Sequence, residues 1–165
     1  IVFFMGSKIN TMKPSTAQTL FWVFSILMGA SLSYVFLRYT DTSIMRVFFI
    51  TAATFGAMSL YGYTTKRSLA RWGSFLFMGL IGILIAMVVN IFMQSSVMHF
   101  VISVVGVLVF TGLTAYDTQR IRQSYVESDG KSVMTKKAIM GAMSLYLNFI
   151  NLFMMLLMLF GGNRE

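Results

Sequence analysis

The chain has 165 residues, of which 57% are hydrophobic and 11% charged, with one proline, no cysteine and a formal charge of +8. That composition excludes an ordinary soluble domain, disulfides, thiolate catalysis and cysteine-ligated metals. The basic residues sit in short gaps between long apolar runs instead of clustering on a polar face, which argues against nucleic acid as a partner and for a polytopic membrane protein in a lipid bilayer.

The opening Ile1-Val2-Phe3-Phe4-Met5-Gly6 carries no basic leader and reads as the last turns of a span that begins before this sequence. A polar connection with Lys8 and Lys13 follows. Ser15 with Gln18 fits a capping box at the start of the next helix, just after Pro14. From about 17 to 37 the run is long enough to cross a bilayer, which takes roughly 20 residues. Ser25, Gly29 and Ser33 recur at intervals of four, the small-residue stripe that lets membrane helices approach closely.

Arg38 to Ser43 reads as a short turn, followed by a span over 47–63 and a basic connection, with Trp72 at an interfacial position. The next span, 73–92, offers Gly73, Gly79 and Gly82 for close packing and ends in the uncharged turn Met93-Gln94-Ser95-Ser96. A span over 97–119 carries Gly106, Gly112 and the segment around Asp117. Arg120 to Lys137 is the longest polar connection, and a last span runs over 138–160. The expected architecture is an all-α helical bundle in a single domain over 1–165, with five full spans and an N-terminal stub.

Gly-Ala-Met-Ser-Leu-Tyr occurs at 56–61 and again at 141–146, in spans of opposite direction. Shared packing demands account for so short a match as well as an inverted repeat does. Charges orient the bundle. Lys8, Lys13, Lys66, Arg67, Arg71, Arg120, Arg122, Lys131, Lys136 and Lys137 fall on one side, against Arg38, Arg46 and Arg164 on the other. The richer side is cytoplasmic by the positive-inside rule.

Asp117 is the one acidic residue inside an apolar segment; Asp41, Glu127, Asp129 and Glu165 fall in connections or at the end. An intramembrane carboxylate marks an ion or proton pathway by default. The plainer reading is a helix-end acid that reaches the interface and pairs with Arg120 or Arg122. A carboxylate near a helix C-terminus opposes the dipole, so keeping it there is costly. Asn148 and Asn151, three apart in the last span, share a face; they serve equally as interhelical glue or as pathway lining. His99 lies at the end opposite Asp117, and Ser74 has no base beside it for serine hydrolysis, so no enzyme is expected. No cofactor-binding motif is present.

Phe110-Thr111-Gly112-Leu113-Thr114-Ala115-Tyr116-Asp117-Thr118-Gln119-Arg120-Ile121, followed by Gly141 to Phe153, resembles the signature of the Bax inhibitor-1 family, the transmembrane Bax inhibitor motif proteins. Tyr61 to Arg67 and Asn90-Ile91-Phe92 resemble its bacterial members. The resemblance implies seven spans in the full-length protein, residence in the bacterial inner membrane, and a pH-sensitive calcium leak with calcium as the transported ion. It also implies two aspartates on the last two spans that share a proton, and a basic latch on the closed state. The first aspartate matches Asp117, which is also the expected calcium ligand. The second falls at Asn148, a departure that removes carboxylate repulsion and weakens calcium binding. Lys8, Lys13, Arg120 and Arg122 are the candidates for the latch. The other function consistent with the resemblance is a non-conducting modulator that binds a membrane protease or a stress or cell-death partner.

Overall fold

Residues 1–165 are described by a computed structural model with seven helices: α1 (Val2–Lys8), α2 (Pro14–Leu32), α3 (Tyr34–Arg38), α4 (Asp41–Thr64), α5 (Ala70–Met93), α6 (Ser96–Ser124) and α7 (Lys131–Phe160). Taking α2 and α3 as one span broken at Ser33, five of these segments are long and apolar enough to cross a membrane. α7 is central: it packs along α6 over most of its length and also meets α4 and α2, while α5 lies against α6.

Side chains fix where several helices begin. Thr40 caps α4 by accepting from the Ser43 amide, and Ser95 caps α6 by accepting from the Met98 amide. Between α5 and α6 the turn closes on Gln94, whose φ of 50° is left-handed, while Asn90 accepts from the Ser95 amide at 3.0 Å. The expected capping box on Ser15 does not form. Pro14 itself is the first helical residue, its fixed φ suiting that position, and Lys13 precedes it without a side-chain cap.

The helices also outrun the apolar segments. α4 starts at Asp41 instead of about 47, α6 runs on to Ser124, and α7 starts at Lys131, so the longest polar connection shrinks to 125–130. Backbone hydrogen bonding continues past the hydrocarbon edge because Gln, Arg and Lys are good helix formers in water. Hydropathy marks the greasy part of a helix, not its end.

Small residues decide how closely the helices approach, though not all of those expected. Gly62 of α4 lies against the Ala115 backbone of α6, Gly79 faces Val109, Gly106 faces Met155 and Gly112 faces Leu76. The Ser25-Gly29-Ser33 stripe and Gly82 are not used this way: Gly29, Ser33 and Gly82 are exposed, and nothing lies within 4 Å of where a Cβ would stand on either glycine. α2 instead turns Ala17, Phe21 and Phe24 toward α7, where they join Met5 and Met143. At Gly62 a methyl group would collide with the Ala115 carbonyl, which belongs to a rigid helix. Gly62→Ala should therefore cost about 1–3 kcal/mol, read as a lower unfolding temperature of the full-length protein in detergent; an unchanged temperature would contradict this close approach.

Hydrogen bonds sort the two ends as the charges do. At the lysine-rich end, the inner one by the positive-inside rule, Lys136 reaches the Asn10 carbonyl, and Gln119 reaches the connection before α5. At the outer end the segment after α7 folds back on the α3–α4 junction. Thr40 N–H donates to the Gly162 carbonyl, and Arg164 N–H to the Arg38 carbonyl. The Arg164 side chain donates to the Tyr39 carbonyl and pairs with Asp41. Just inside this clasp, Val35, Tyr39, Val47, Leu152, Leu156 and Leu157 belong to the apolar core.

Candidate functional site

Asp117 sits two turns before the end of α6, where Thr114, Ala115 and Gln119 are also buried. Only 8% of Asp117 is exposed. Across 31 residues of sequence, α7 brings Asn148, 6% exposed, to it, and the Asn148 amide donates to Asp117 Oδ2 at 2.8 Å. One turn on along α6, Arg120 places its guanidinium 3.3 Å from the other oxygen, Oδ1. Each carboxylate oxygen thus has its own partner, one neutral and one cationic. Arg120 is held by Ser144 of α7, whose hydroxyl accepts at 3.4 Å, and by the face of the Tyr116 ring 6.0 Å away. It remains the exposed member of the pair, its side chain 57% accessible.

These groups line a cleft of about 480 Å³ between α5, α6 and α7, whose polar members include Asp117, Arg120, Asn148, Asn151, Ser74 and Ser144. Gly73 floors one side, where a Cβ would strike the Tyr116 ring. Helical spacing brings Ser144, Asn148 and Asn151 onto one face of α7. Asn151 lines the cleft without bridging helices: its amide donates to the Leu147 carbonyl of its own helix at 2.8 Å, satisfying the donor within α7.

The four latch candidates separate clearly. Arg120 is at Asp117. Arg122 points away, donating to the Tyr63 carbonyl with its guanidinium 5.6 Å from the Tyr63 ring centre. Lys8 and Lys13 are exposed at the α1–α2 connection and make no ion pair. His99 lies toward the other end of α6, beside Asn90 and Met158. No group of three histidine, cysteine or acidic side chains that could hold a metal ion gathers in the chain.

Sequence reading passed over three contributors. Ser74, which the sequence offers only as a nucleophile without a base, borders the cleft. Ser144 was detectable as the residue four before Asn148 on the same face. Gln119, buried at the inner end, accepts from the Leu69 amide and donates to the Arg67 carbonyl, both at 2.8 Å. It thereby fastens the α4–α5 connection to α6 two residues from Asp117. A buried glutamine satisfying two backbone groups leaves no signal in sequence beyond its polarity.

Comparison with known proteins bears on the whole chain. The profile of the family described as "Inhibitor of apoptosis-promoting Bax1" matches residues 1–165. An uncharacterized protein of Caulobacter vibrioides is 50% identical over 166 residues, covering 100% of this chain and 66% of that protein. The uncharacterized protein RP147 of Rickettsia prowazekii is 51% identical over 165 residues, covering 100% and 69%. Inner membrane protein YbhL of Escherichia coli is 45% identical over 166 residues, covering 99% and 71%. The chain spans about two thirds of the length of these relatives.

Proposed function

Because the chain belongs to the Bax inhibitor-1 family and is an integral protein of the bacterial inner membrane, we propose that it forms part of a calcium leak channel tuned by protonation of Asp117. The observation that carries this reading is the partnering of a buried intramembrane carboxylate: Asn148 holds one oxygen and Arg120 occupies the other. A group that costly to bury serves a pathway or a switch.

Arg120 acts as the latch. It sits where a cation would have to sit, so calcium and the guanidinium compete for Oδ1. Protonation of Asp117 removes the charge that both holds Arg120 and draws calcium, whereas displacement of Arg120 from the ionised acid opens the carboxylate to the cleft. Asn148, with an amide oxygen of its own, offers calcium one neutral ligand beside the carboxylate, a sparse set for an ion that prefers six to eight oxygens. Sparse coordination suits passage better than storage. Beyond the cleft, the core around Leu152, Leu156 and Leu157 closes the outer half, so conduction requires the packing of α7 against α6 and α4 to loosen there.

Calcium entry into liposomes holding the full-length protein, followed across pH, tests the reading. Protein-dependent, pH-dependent flux is expected. No flux from either the unaltered protein or Asp117→Ala would favour the non-conducting modulator instead. Arg120→Ala should raise basal flux at neutral pH by roughly fivefold, since an exposed ion pair contributes up to about 1 kcal/mol; flux equal to that of the unaltered protein would remove Arg120 from the latch.

A further inference from the structure

A second cavity, of about 490 Å³, lies at the inner end between the α1–α2 connection, the end of α6 and the first turns of α7. Its walls are of two kinds. Ile9, Ile121, Val133 and Met140 are apolar, while Arg120, Lys136 and Lys137 bring cations to it. The three cations are not equally engaged. Lys137 is neutralised by Asp129 and also donates to the Ser124 carbonyl. Lys136 donates to the Asn10 carbonyl at 3.1 Å and has no carboxylate partner. Arg120 has Asp117 but is mostly exposed.

We propose that this cavity binds the phosphate of an anionic phospholipid headgroup from the inner leaflet. Four features select that ligand. The cavity lies at the lysine-rich end, at headgroup depth under the positive-inside orientation, and basic cavities between spans on the cytoplasmic side are where such headgroups bind. Its volume falls within the range of small-ligand sites. Its apolar walls suit the glycerol and first acyl carbons of a lipid and contribute nothing to a free phosphate ion. The unpaired Lys136 supplies net positive charge, which favours an anionic headgroup over a zwitterionic one that carries its own cation.

The site is also joined to the first. Arg120 and Ser144 line both cavities. A phosphate beside Lys136 offers Arg120 a second anion, drawing it off Asp117 Oδ1 and loosening the latch. On the leak reading given above, an anionic inner leaflet then raises calcium flux. Lipid binding itself does not depend on that reading.

The test is native mass spectrometry of the full-length protein released from mixed phosphatidylcholine and phosphatidylglycerol vesicles, with calcium flux measured in parallel. Phosphatidylglycerol should be retained preferentially, and Lys136→Ala should cut its retention by roughly fivefold, the loss expected for one cation at a lipid surface. Lys136→Arg should restore it, and millimolar inorganic phosphate should not displace it. Equal retention by the unaltered protein and Lys136→Ala would overturn the site, and displacement by inorganic phosphate would overturn the lipid as its occupant. If phosphatidylglycerol is retained as expected and no composition gives flux, the leak reading fails while the binding site stands.

Discussion

Asp117→Asn should lower calcium flux by about tenfold or more, the change that corresponds to losing about 1.4 kcal/mol of cation attraction, and should leave whatever flux remains flat across pH. The amide has nearly the shape of the carboxylate and can still hydrogen-bond Asn148, so the helices have no reason to separate. What disappears is the charge. A neutral group cannot draw calcium into the cleft, and with no proton to exchange it cannot report pH. The same substitution frees Arg120, but an open latch over an uncharged site gives the ion little to bind. Stability should stay the same or rise, because a buried carboxylate is more costly than a buried amide that is hydrogen-bonded. A variant that retains the pH profile of the unaltered protein would end the case for Asp117 as the sensor.

Asn148→Asp should move the midpoint of the pH response upward by roughly one unit or more, the scale at which two interacting carboxylates titrate as a pair. In the chain as it stands, Asn148 donates to Oδ2 at 2.8 Å and sets no second charge beside the acid. Replacing that amide with a second carboxylate at the same distance turns attraction into repulsion. The two acids then hold one proton between them up to higher pH, and they release it only when the medium removes it against their mutual charge. The sign is therefore fixed: the protonated state persists further toward alkaline pH. Calcium should also bind more tightly at high pH, since a charged oxygen replaces a neutral one. An identical pH profile in the two proteins, measured in the same liposomes, would mean that position 148 has no part in the switch.

Asp117 was legible from sequence because a lone acid at the end of an apolar run has few physical explanations, and its burial matches that reading. The spans were legible for a similar reason, since continuous hydropathy leaves little doubt about a membrane helix. Their ends were not, as the extensions to Ser124 and from Lys131 show, because helix formation in water does not follow hydropathy. Contacts across helices were harder still. Asn148 and Asn151 look alike in the sequence, yet the first faces α6 and the second closes on its own backbone, a difference set by where α7 meets α6. The stripe Ser25-Gly29-Ser33 has the spacing of a packing face and is mostly exposed, because α2 meets the bundle through the adjoining strip of Ala17, Phe21 and Phe24. Spacing finds a face; only the neighbours determine whether it is used. The sequence does not decide among the four basic latch candidates; in the structure Arg120 lies 3.3 Å from Asp117 Oδ1, while Arg122 turns to the Tyr63 carbonyl.

The backbone clasp that ties Gly162 and Arg164 to the α3–α4 junction has a mechanical result. α7 is 30 residues long, so it measures about 45 Å. Fixed at its outer tip, it can swing only as a lever about that point, and a tilt of about 5° moves its far end by about 4 Å. Lys136, near that far end, travels almost the full arc, Asn148 about half of it, and Leu157 hardly at all. Whatever pushes on the cytoplasmic tip thus acts at the longest arm, where the least force turns the helix.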